Sequence, residues 1–285
     1  MRTMRSIADP TNSLERALVL LETIEQTPSG LTNAESSRLL RIPKSSCSYI
    51  MTRLERRGYL SRDKDTKRYK IGLTTVALAY GALRDMGFRS IAEPALYKLT
   101  IDTGLSANIG VLERGRVLLV DRVESGRFVQ GIINSAEAIP QVFQSKKQFS
   151  TCEIRSKDER DIGRELPCDG SALGNVLLAH LSKPELLSLI KEYGLSRVTA
   201  KKTSMNALML HLTNVRKQGY ASSYGEYEKG VCAVAAPIMD SSGNARAAVS
   251  INGYASEVDW SEADWLIELV KAAGRDISRR ARIMG

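Results

Sequence analysis

The chain opens with three short segments in which apolar residues recur every three or four positions, separated from one another by proline or glycine. This spacing predicts three amphipathic helices. Asn12 or Ser13 can cap the first helix, and Thr32 can cap the second, where Glu35 completes a capping box. The residues expected to face a core are Leu14, Ala17, Leu18, Leu21 and Ile24 in the first helix and Ala34, Leu39 and Leu40 in the second. We therefore expect a three-helix unit at the start of the chain.

The third segment, residues 44–57, has an apolar face and a polar face, and a basic hairpin follows it. The apolar face carries Cys47, Ile50, Met51 and Leu54. The polar face carries Lys44, Ser45, Ser46, Ser48, Tyr49, Arg53 and Arg56. Gly58 ends the helix, and residues 59–61 and 68–71 have the composition of two short strands joined by a charged turn. Three helices followed by a hairpin are typical of a winged helix-turn-helix domain.

Positive charge is concentrated in residues 41–70, which hold ten basic and three acidic side chains, a net charge of +7 out of +9 for the whole chain. A dense basic segment gains affinity for polyanions through counterion release. We therefore predict double-stranded operator DNA as the partner; a three-helix domain that binds protein is the alternative. The predicted major-groove contacts are Lys44, Ser45, Ser46, Ser48, Tyr49 and Arg53. The wing residues Lys67, Arg68 and Lys70 are predicted to lie along phosphates or to enter the minor groove.

The pattern changes after residue 72. Residues 73–85 continue as a helix with few charges, which is expected to pack on a partner subunit or on the domain ends. Strand-like segments then occur at 106–112, 116–122, 128–133, 232–239 and 246–252, and helical segments occur after 89 and at about 171–181, 184–192, 203–218 and 261–282. A sheet with helices on its faces predicts an α+β domain.

Composition argues against several other classes of protein. The chain has no run of about 18 apolar residues, and its basic N-terminus lacks an apolar core, so we predict a cytoplasmic protein without contact to membranes. The cysteines, which are spaced too widely for a zinc motif, are Cys47, Cys152, Cys168 and Cys232. The two histidines, His180 and His211, lie in helical patterns and are expected to be packed or surface residues. No catalytic residue, metal site or cofactor is predicted.

Both halves of the chain carry short motifs in a fixed order. In the first half they are SLERAL at 13–18, PKSS at 43–46, GYL at 58–60 and RYKIG at 68–72. In the second half they are VLLVDRVES at 117–125, LP at 166–167, ALG at 172–174, GYA at 219–221, Gly230, and AAPI at 235–238. In these motifs the chain resembles the IclR family of bacterial transcriptional regulators. The chain departs from the family at Tyr49, where the family often has arginine, so a base preference does not transfer there.

The resemblance implies a domain order and a function. A winged helix-turn-helix domain, residues 10–72, is joined by a linker helix, residues 73–88, to a GAF-like α+β domain, residues 89–285, that binds an effector and forms dimers or tetramers. The implied protein is a repressor or activator whose binding to operator DNA is modulated by a small, organic-acid-like molecule. Two alternatives are a thiol redox sensor that uses Cys152 and Cys168, and an enzyme with Cys168 or Cys232 as nucleophile.

The small residues near position 172 suit the N-terminus of a helix that receives an anion. The resemblance implies ligand contacts with the backbone of Ala172 and Leu173 and with the positions of Ser223 and Ala233, where the family has Asp and Cys. It also places Asp169 and Asn175 at positions where the family commonly has His and Lys. These four differences remove the Asp and Cys contacts and change the charge, which argues against a small glyoxylate- or pyruvate-like ligand. The predicted effector-binding residues are Gly170, Ser171, Ala172, Leu173, Ser223, Glu226, Ala233 and Ser250.

The chain is longer than the family pattern between Asp121 and Pro167. The extra residues span roughly 131–153. They predict a longer hairpin, a lid over the pocket or an oligomer contact, and a tolerated surface insertion is the alternative.

Overall fold

The computed structural model describes residues 12–125, 162–194, 205–256, 260 and 263–284. The chain divides into two compact units, Met1–Met86 and Gly87–Gly285. Within the described residues, no helix is both long enough and apolar enough to cross a membrane.

The first unit is a winged helix-turn-helix, as predicted. Its elements are α1 (Ser13–Glu25), α2 (Asn33–Leu39), α3 (Lys44–Arg56), β1 (Leu60–Arg62), β2 (Tyr69–Ile71) and α4 (Thr74–Asp85). β1 and β2 pair as an antiparallel hairpin, and Leu31 exchanges two backbone hydrogen bonds with Tyr69, of 2.8 and 3.0 Å. The segment before α2 therefore extends the wing by one bridge.

The predicted helix caps are present. Asn12 Oδ1 accepts a hydrogen bond from the Glu15 N–H at 2.9 Å and caps α1. In α2 the Thr32 hydroxyl accepts from the Glu35 N–H, and the Glu35 carboxylate accepts from the Thr32 N–H at 2.8 Å. These contacts satisfy backbone donors that have no partner inside a helix.

The buried face of α1 differs from the predicted stripe. Leu20 and Ile24 are buried, whereas Leu14 and Leu18 are 70% and 52% exposed. Residues 18–21 are four consecutive apolar side chains, so two overlapping helical stripes fit the sequence. The packing of α1 against α3 and β2 selects the stripe that contains Leu20 and Ile24.

The inner face of α2 is more polar than predicted. Leu40 is buried, but Leu39 is exposed, and the buried positions within the helix are Ser36 and Ser37. The Ser37 hydroxyl donates to the Ile42 carbonyl at 2.7 Å. A short side chain that bonds the turn before α3 lets the two helices approach closely.

Arg68 is bound within the domain and does not extend from the wing toward phosphates as expected. Its guanidinium donates to both Glu35 carboxylate oxygens, at 2.8 and 3.0 Å, and to the Gly30 carbonyl at 2.7 Å. The N–H and the hydroxyl of Thr32, together with this guanidinium, donate hydrogen bonds to the Glu35 carboxylate and lower its pKa. We refer to this contact between wing and α2 as the Glu35–Arg68 brace.

The second unit is an α+β domain built on one antiparallel sheet. Its elements are α5 (Phe88–Thr103), β3 (Ser106–Glu113), β4 (Arg116–Val123), β5 (Glu165–Pro167), α6 (Ala172–Ala179), α7 (Lys183–Tyr193), α8 (Met205–Gln218), β6 (Ala221–Tyr224), β7 (Val231–Met239), β8 (Ala245–Tyr254) and α9 (Asp264–Met284). The strand order is β5-β4-β3-β8-β7-β6. The predicted α+β class is confirmed.

Helices cover both faces of this sheet. α6 and α8 pack on the face that carries Ala235 and Ala248. α9 packs on the opposite face, where a Cβ on Gly274 would lie 3.4 Å from the Cβ of Ala236. α5 packs beside α9.

The two edge strands of the sheet, β5 and β6, were not predicted. Both are short, at three and four residues, and lack a clear alternation of apolar and polar side chains. The predicted strand at 128–133 and the extra residues 131–153 lie outside the described residues.

We expect Glu35→Gln to lower the unfolding temperature of the first unit near pH 7, and to lower it less at an acidic pH at which the folded carboxyl is protonated. Because folding lowers the pKa of Glu35 below its usual 4.5, the charged group stabilises the fold above that value, and this contribution is lost as the pH falls through the folded pKa. Thermal unfolding followed by circular dichroism at both pH values measures the effect. Glu185→Gln, in the capping box of α7, is the matched comparison, because Ser182 alone lowers the pKa of Glu185 and no arginine adds to it; the loss in Glu35→Gln should be larger. An equal loss at both pH values would contradict the brace.

Candidate DNA-binding face and effector pocket

One face of α3 presents polar and basic side chains to solvent. Cys47, Ile50 and Met51 are buried against the core, which turns the remaining positions outward. The predicted contact residue Ser46 is half-buried, and the exposed ones are Lys44, Ser45, Ser48, Tyr49 and Arg53. The structure thus brings the predicted α3 residues onto one side of the helix.

Tyr49 and Arg53 form a pair on this face. The Arg53 guanidinium lies 5.1 Å from the centre of the Tyr49 ring, within the range of a cation–π contact, and the tyrosine is 61% exposed. Four residues apart on a helix, the two side chains share one ridge. The ring limits the orientations of the guanidinium while leaving its planar N–H donors available.

The wing turn is shaped by Asp63. Its Oδ1 accepts hydrogen bonds from the N–H groups of Asp65 and Thr66, at 3.0 and 2.7 Å, and from the Thr66 hydroxyl at 2.8 Å. Lys67 follows with a positive φ of 58° and an exposed side chain, whose ammonium donates to the Lys64 carbonyl at 2.5 Å. An ammonium has three donors, so Lys67 keeps two for another partner.

The second unit contains a pocket whose floor is the polar part of the sheet. Arg122, Asn108 and Ser250 lie directly opposite one another on β4, β3 and β8. Residues opposed in this way point to the same face of the sheet. The next row of the floor consists of Asn252, Ala233 and Ser223 on β8, β7 and β6. All six line the pocket.

The N-terminus of α6 covers the floor. Ser171 caps this helix: its hydroxyl accepts from the Gly174 N–H at 3.2 Å and donates to the Pro167 carbonyl at 2.6 Å. The N–H groups of Ala172 and Leu173 belong to the first turn, where no helical carbonyl is available to them. Both residues line the pocket, so the positive end of the helix faces it.

Two glycines fix α6 in this position. A Cβ on Gly174 would collide with the carbonyl oxygen of Cys168. A Cβ on Gly110 would lie 2.6 Å from a Val117 methyl and 3.2 Å from Leu173. The helix therefore packs on the sheet and on the preceding loop at distances that only glycine permits.

Charged side chains border the pocket. Arg122 is largely buried, at 17% side-chain exposure, and its guanidinium lies 3.6 Å from the Glu124 carboxylate. Arg164 lies 3.4 Å from Glu228 and 5.6 Å from the centre of the Tyr227 ring. The pocket thus has a cationic group set in the sheet and an ion pair beside an aromatic ring.

Two family models match the sequence of this chain. The IclR helix-turn-helix domain matches residues 13–64, and the C-terminal domain of the bacterial transcriptional regulator IclR matches residues 145–279. The chain belongs to the IclR family. It is a transcriptional regulator with an N-terminal helix-turn-helix domain and a C-terminal effector-binding domain.

Relatives match the chain over nearly its whole length. The HTH-type transcriptional regulator XynR of Escherichia coli K12 is 27% identical over 268 residues, which are 94% of this chain and 96% of that protein. The structure of Thermotoga maritima IclR has a TM-score of 0.66 at 23% identity and covers 95% of this chain and 98% of its own. An IclR homologue from Microbacterium hydrocarbonoxydans, solved with 4-hydroxybenzoate, has a TM-score of 0.72 at 20% identity and covers 95% and 100%.

The structure brings six of the eight predicted effector residues of this IclR-family chain into one pocket. They are Ser171, Ala172, Leu173, Ser223, Ala233 and Ser250. Gly170 and Glu226 are not among the lining residues; Gly170 is buried beside Pro167, and Glu226 is exposed.

Several lining residues escaped the sequence prediction, above all Asn108 and Arg122. Both lie in strands whose buried positions are mostly apolar, so each is a polar residue in a largely buried strand. A buried polar side chain in such a strand is the signal that could have pointed to them. The contact of Asn108 with Ser250 and Asn252, and the place of Arg122 across from Asn108, depend on the pairing of strands that are distant in sequence.

The described cysteines of this regulator have the electrostatics of inert thiols. Burial raises the pKa of the Cys168 thiol to about 11, with a further increase from the neighbouring Asp169 carboxylate. Burial also raises the pKa of Cys232. Reactive cysteines require a lowered pKa and access to solvent. Cys152, the second member of the predicted redox pair, lies outside the described residues.

Neither described histidine has the arrangement of a catalytic base. Burial lowers the pKa of His180, and its Nδ1 lies 2.8 Å from the Val176 carbonyl within the same helix. His211 lies in the exposed part of α8. Within the described residues, neither histidine is hydrogen-bonded to Cys168 or Cys232.

We expect Cys168 and Cys232 to resist alkylation by iodoacetamide near neutral pH in the folded chain, because both are buried and remain protonated thiols. Mass spectrometry of peptides after timed labelling measures this. The same chain in urea, where both sites should be modified fully, is the control. Rapid labelling of either cysteine in the folded chain would instead favour the redox or nucleophile alternatives.

Proposed function

We propose that this regulator binds a specific operator through the exposed face of α3. The observation that supports this is the single-sided display of Lys44, Ser45, Ser48, Tyr49 and Arg53 on the second helix of the motif. In helix-turn-helix proteins the early residues of this helix reach base edges in the major groove. Ser46, half-buried on the same helix, is proposed to contact the DNA backbone.

Arg53 is the proposed reader of a base. An arginine can donate to both O6 and N7 of guanine, and the Tyr49 ring restricts the guanidinium beforehand, so less side-chain freedom is lost on binding. Lys67 on the wing turn is the proposed phosphate contact. Arg68 is not proposed as a phosphate contact, because its guanidinium donates hydrogen bonds to the Glu35 carboxylate and the Gly30 carbonyl.

The regulator is proposed to act as a homodimer or tetramer. The linker helix α4 exposes apolar side chains, and those of Leu73, Val76, Leu78 and Tyr80 are each more than half exposed. Exposed apolar patches mark interaction sites. Two copies would address two half-sites on one face of the duplex, so a partly palindromic operator is expected. With chromosomal DNA as its partner, the protein would act in the bacterial cytoplasm.

The effector is proposed to be a small organic acid bound in the pocket under α6. A carboxylate would accept hydrogen bonds from the N–H groups of Ala172 and Leu173 and would form an ion pair with Arg122. A helix N-terminus and a guanidinium both favour an anion. The homologue solved with 4-hydroxybenzoate, an aromatic acid, supports this class of ligand. The function is binding without turnover, in keeping with relatives that are transcriptional regulators.

The effector would act by shifting the equilibrium between arrangements of the protein that can and cannot bind the operator. A ligand changes operator affinity only if it binds the operator-competent and operator-incompetent arrangements with different affinity. The promoter geometry then decides whether the result is repression or activation.

Selection of bound sequences from a random pool of duplexes, with the purified full-length chain, tests the DNA-binding role. We expect a partly palindromic sequence to be enriched and its affinity to fall steeply with salt. Recovery of no preferred sequence, with or without organic acids, would argue against operator recognition.

Arg53→Ala should weaken binding to the selected operator by about 1–3 kcal/mol and relax the preference at one base position, because a bidentate contact is lost. Competition titrations with single-base operator variants measure both effects. Arg275→Ala, an exposed arginine of the second unit, is the control. If both variants bind every operator equally, Arg53 does not read a base.

Arg122→Gln should weaken the binding of organic acids by about tenfold or more while leaving operator affinity without effector unchanged, since a charged hydrogen bond is removed from a largely buried site. Calorimetric titration with 4-hydroxybenzoate, or with another acid that binds, measures the change. Arg116→Gln, on the same strand but outside the pocket lining, is the matched control. Equal loss in both variants would point to a general effect on the strand.

A further inference from the structure

Asn108 is a buried polar side chain that the fold leaves incompletely bonded. It lies in the middle of β3, is 3% exposed and lines the pocket. Its amide nitrogen donates to Asn252 Oδ1 at 2.6 Å and lies 3.5 Å from the Ser250 hydroxyl. Its carbonyl oxygen, Oδ1, is buried and accepts no hydrogen bond within the described part of the chain.

An unsatisfied buried acceptor is unfavourable in a folded protein, because it has lost its hydrogen bonds to water without gaining a replacement. The nitrogen of Asn108 is already turned toward Asn252 and Ser250, so Oδ1 is the atom left for an occupant of the pocket. That occupant must donate a hydrogen bond. The neighbour on the opposite side, Arg122, is directly across in the β3–β4 register and supplies positive charge.

We propose that the effector is a hydroxy acid, in which a carboxylate meets Arg122 and the N-terminus of α6 while a hydroxyl donates to Asn108 Oδ1. The proposal rests on the acid effector proposed above and narrows its class. The two floor residues stand on adjacent strands at a separation of about 5 Å between Cβ atoms, which suits one small molecule carrying both groups. Ser250, next in the row, can bond a second hydroxyl.

Acids without a hydroxyl fail to meet this requirement. At neutral pH an unsubstituted acid or a keto acid offers only acceptors, so Asn108 Oδ1 stays unsatisfied when it binds. Sites that bond a ligand hydroxyl discriminate strongly against analogues that lack it, because a buried group is then left without its partner. The pocket is therefore expected to select for an acid that also carries a hydrogen-bond donor.

Matched sets of acids with the full-length chain test the proposal. One set is lactate, propionate and pyruvate; the other is 4-hydroxybenzoate and benzoate. Calorimetry, together with release or retention of the selected operator, gives each affinity. We expect the hydroxy member of at least one set to bind about tenfold or more tightly than its analogues.

Two variants assign the preference to Asn108. Asn108→Leu, similar in size but without an acceptor, should bring the members of the set within about twofold of one another. Asn108→Asp keeps an acceptor and adds a negative charge, so it should weaken all acids while retaining the preference for the hydroxyl. Asn175→Leu is the control, since Asn175 is equally buried with an unbonded Oδ1 but does not line the pocket.

The outcomes separate this proposal from the proposed acid effector. Equal affinities within each set for the native chain would overturn the hydroxyl requirement and leave the acid effector standing. A preference that persists in Asn108→Leu would also overturn it, since the hydroxyl would then meet another group. If no acid binds while operator binding is intact, both proposals fail together.

Discussion

The antiparallel pairing of β3 with β4 on one side and β8 on the other determines the chemistry of the second unit. It brings Asn108 into contact with Ser250 and Asn252, which are 142 and 144 residues away in sequence, and sets Arg122 directly across from it. A shift of β3 by one residue relative to its two neighbours would turn Asn108 to the opposite face, where α9 packs, and would separate it from the other polar groups. The pocket therefore exists only because the strand register is fixed.

Packing also fixes the N-terminus of α6, which covers the floor of the pocket. Gly174 and Gly110 let α6 approach the Cys168 loop and β3 at distances that no other residue allows, and the Ser171 cap closes its first turn. The backbone N–H groups at the start of α6 are thus held in place by packing, and in the proposed binding mode they would bond any carboxylate. Selectivity among acids would then rest on side chains of the floor, such as Ser223 and Ser250.

Local signals were sufficient to predict the helices and the hairpin of the first unit. The Thr32–Glu35 capping box, the buried positions of α3 and the wing hairpin all follow from residues close together in sequence, and all are present. Local signals were insufficient where a partner is distant or where two stripes overlap. The four apolar residues at 18–21 left the buried side of α1 ambiguous, and the role of Arg68 depends on Glu35, which lies 33 residues before it. In the second unit, the resemblance predicted the pocket residues at the start of α6. Asn108 and Arg122 could be recognised as pocket residues only from the pairing of the strands.

The Glu35–Arg68 brace has a consequence for regulation. It fastens the wing to the cap of α2, while Asn33 bonds the first residue of α3, Lys44, at 3.3 Å, so wing and reading helix are tied to the same short helix. The proposed DNA-contacting surfaces of α3 and the wing are therefore expected to move together as one rigid body. An effector in such a protein would leave the reader itself unaltered and would act on the distance or angle between two readers in the proposed dimer. Operators with the same half-sites but different spacing would accordingly respond differently to the same molecule.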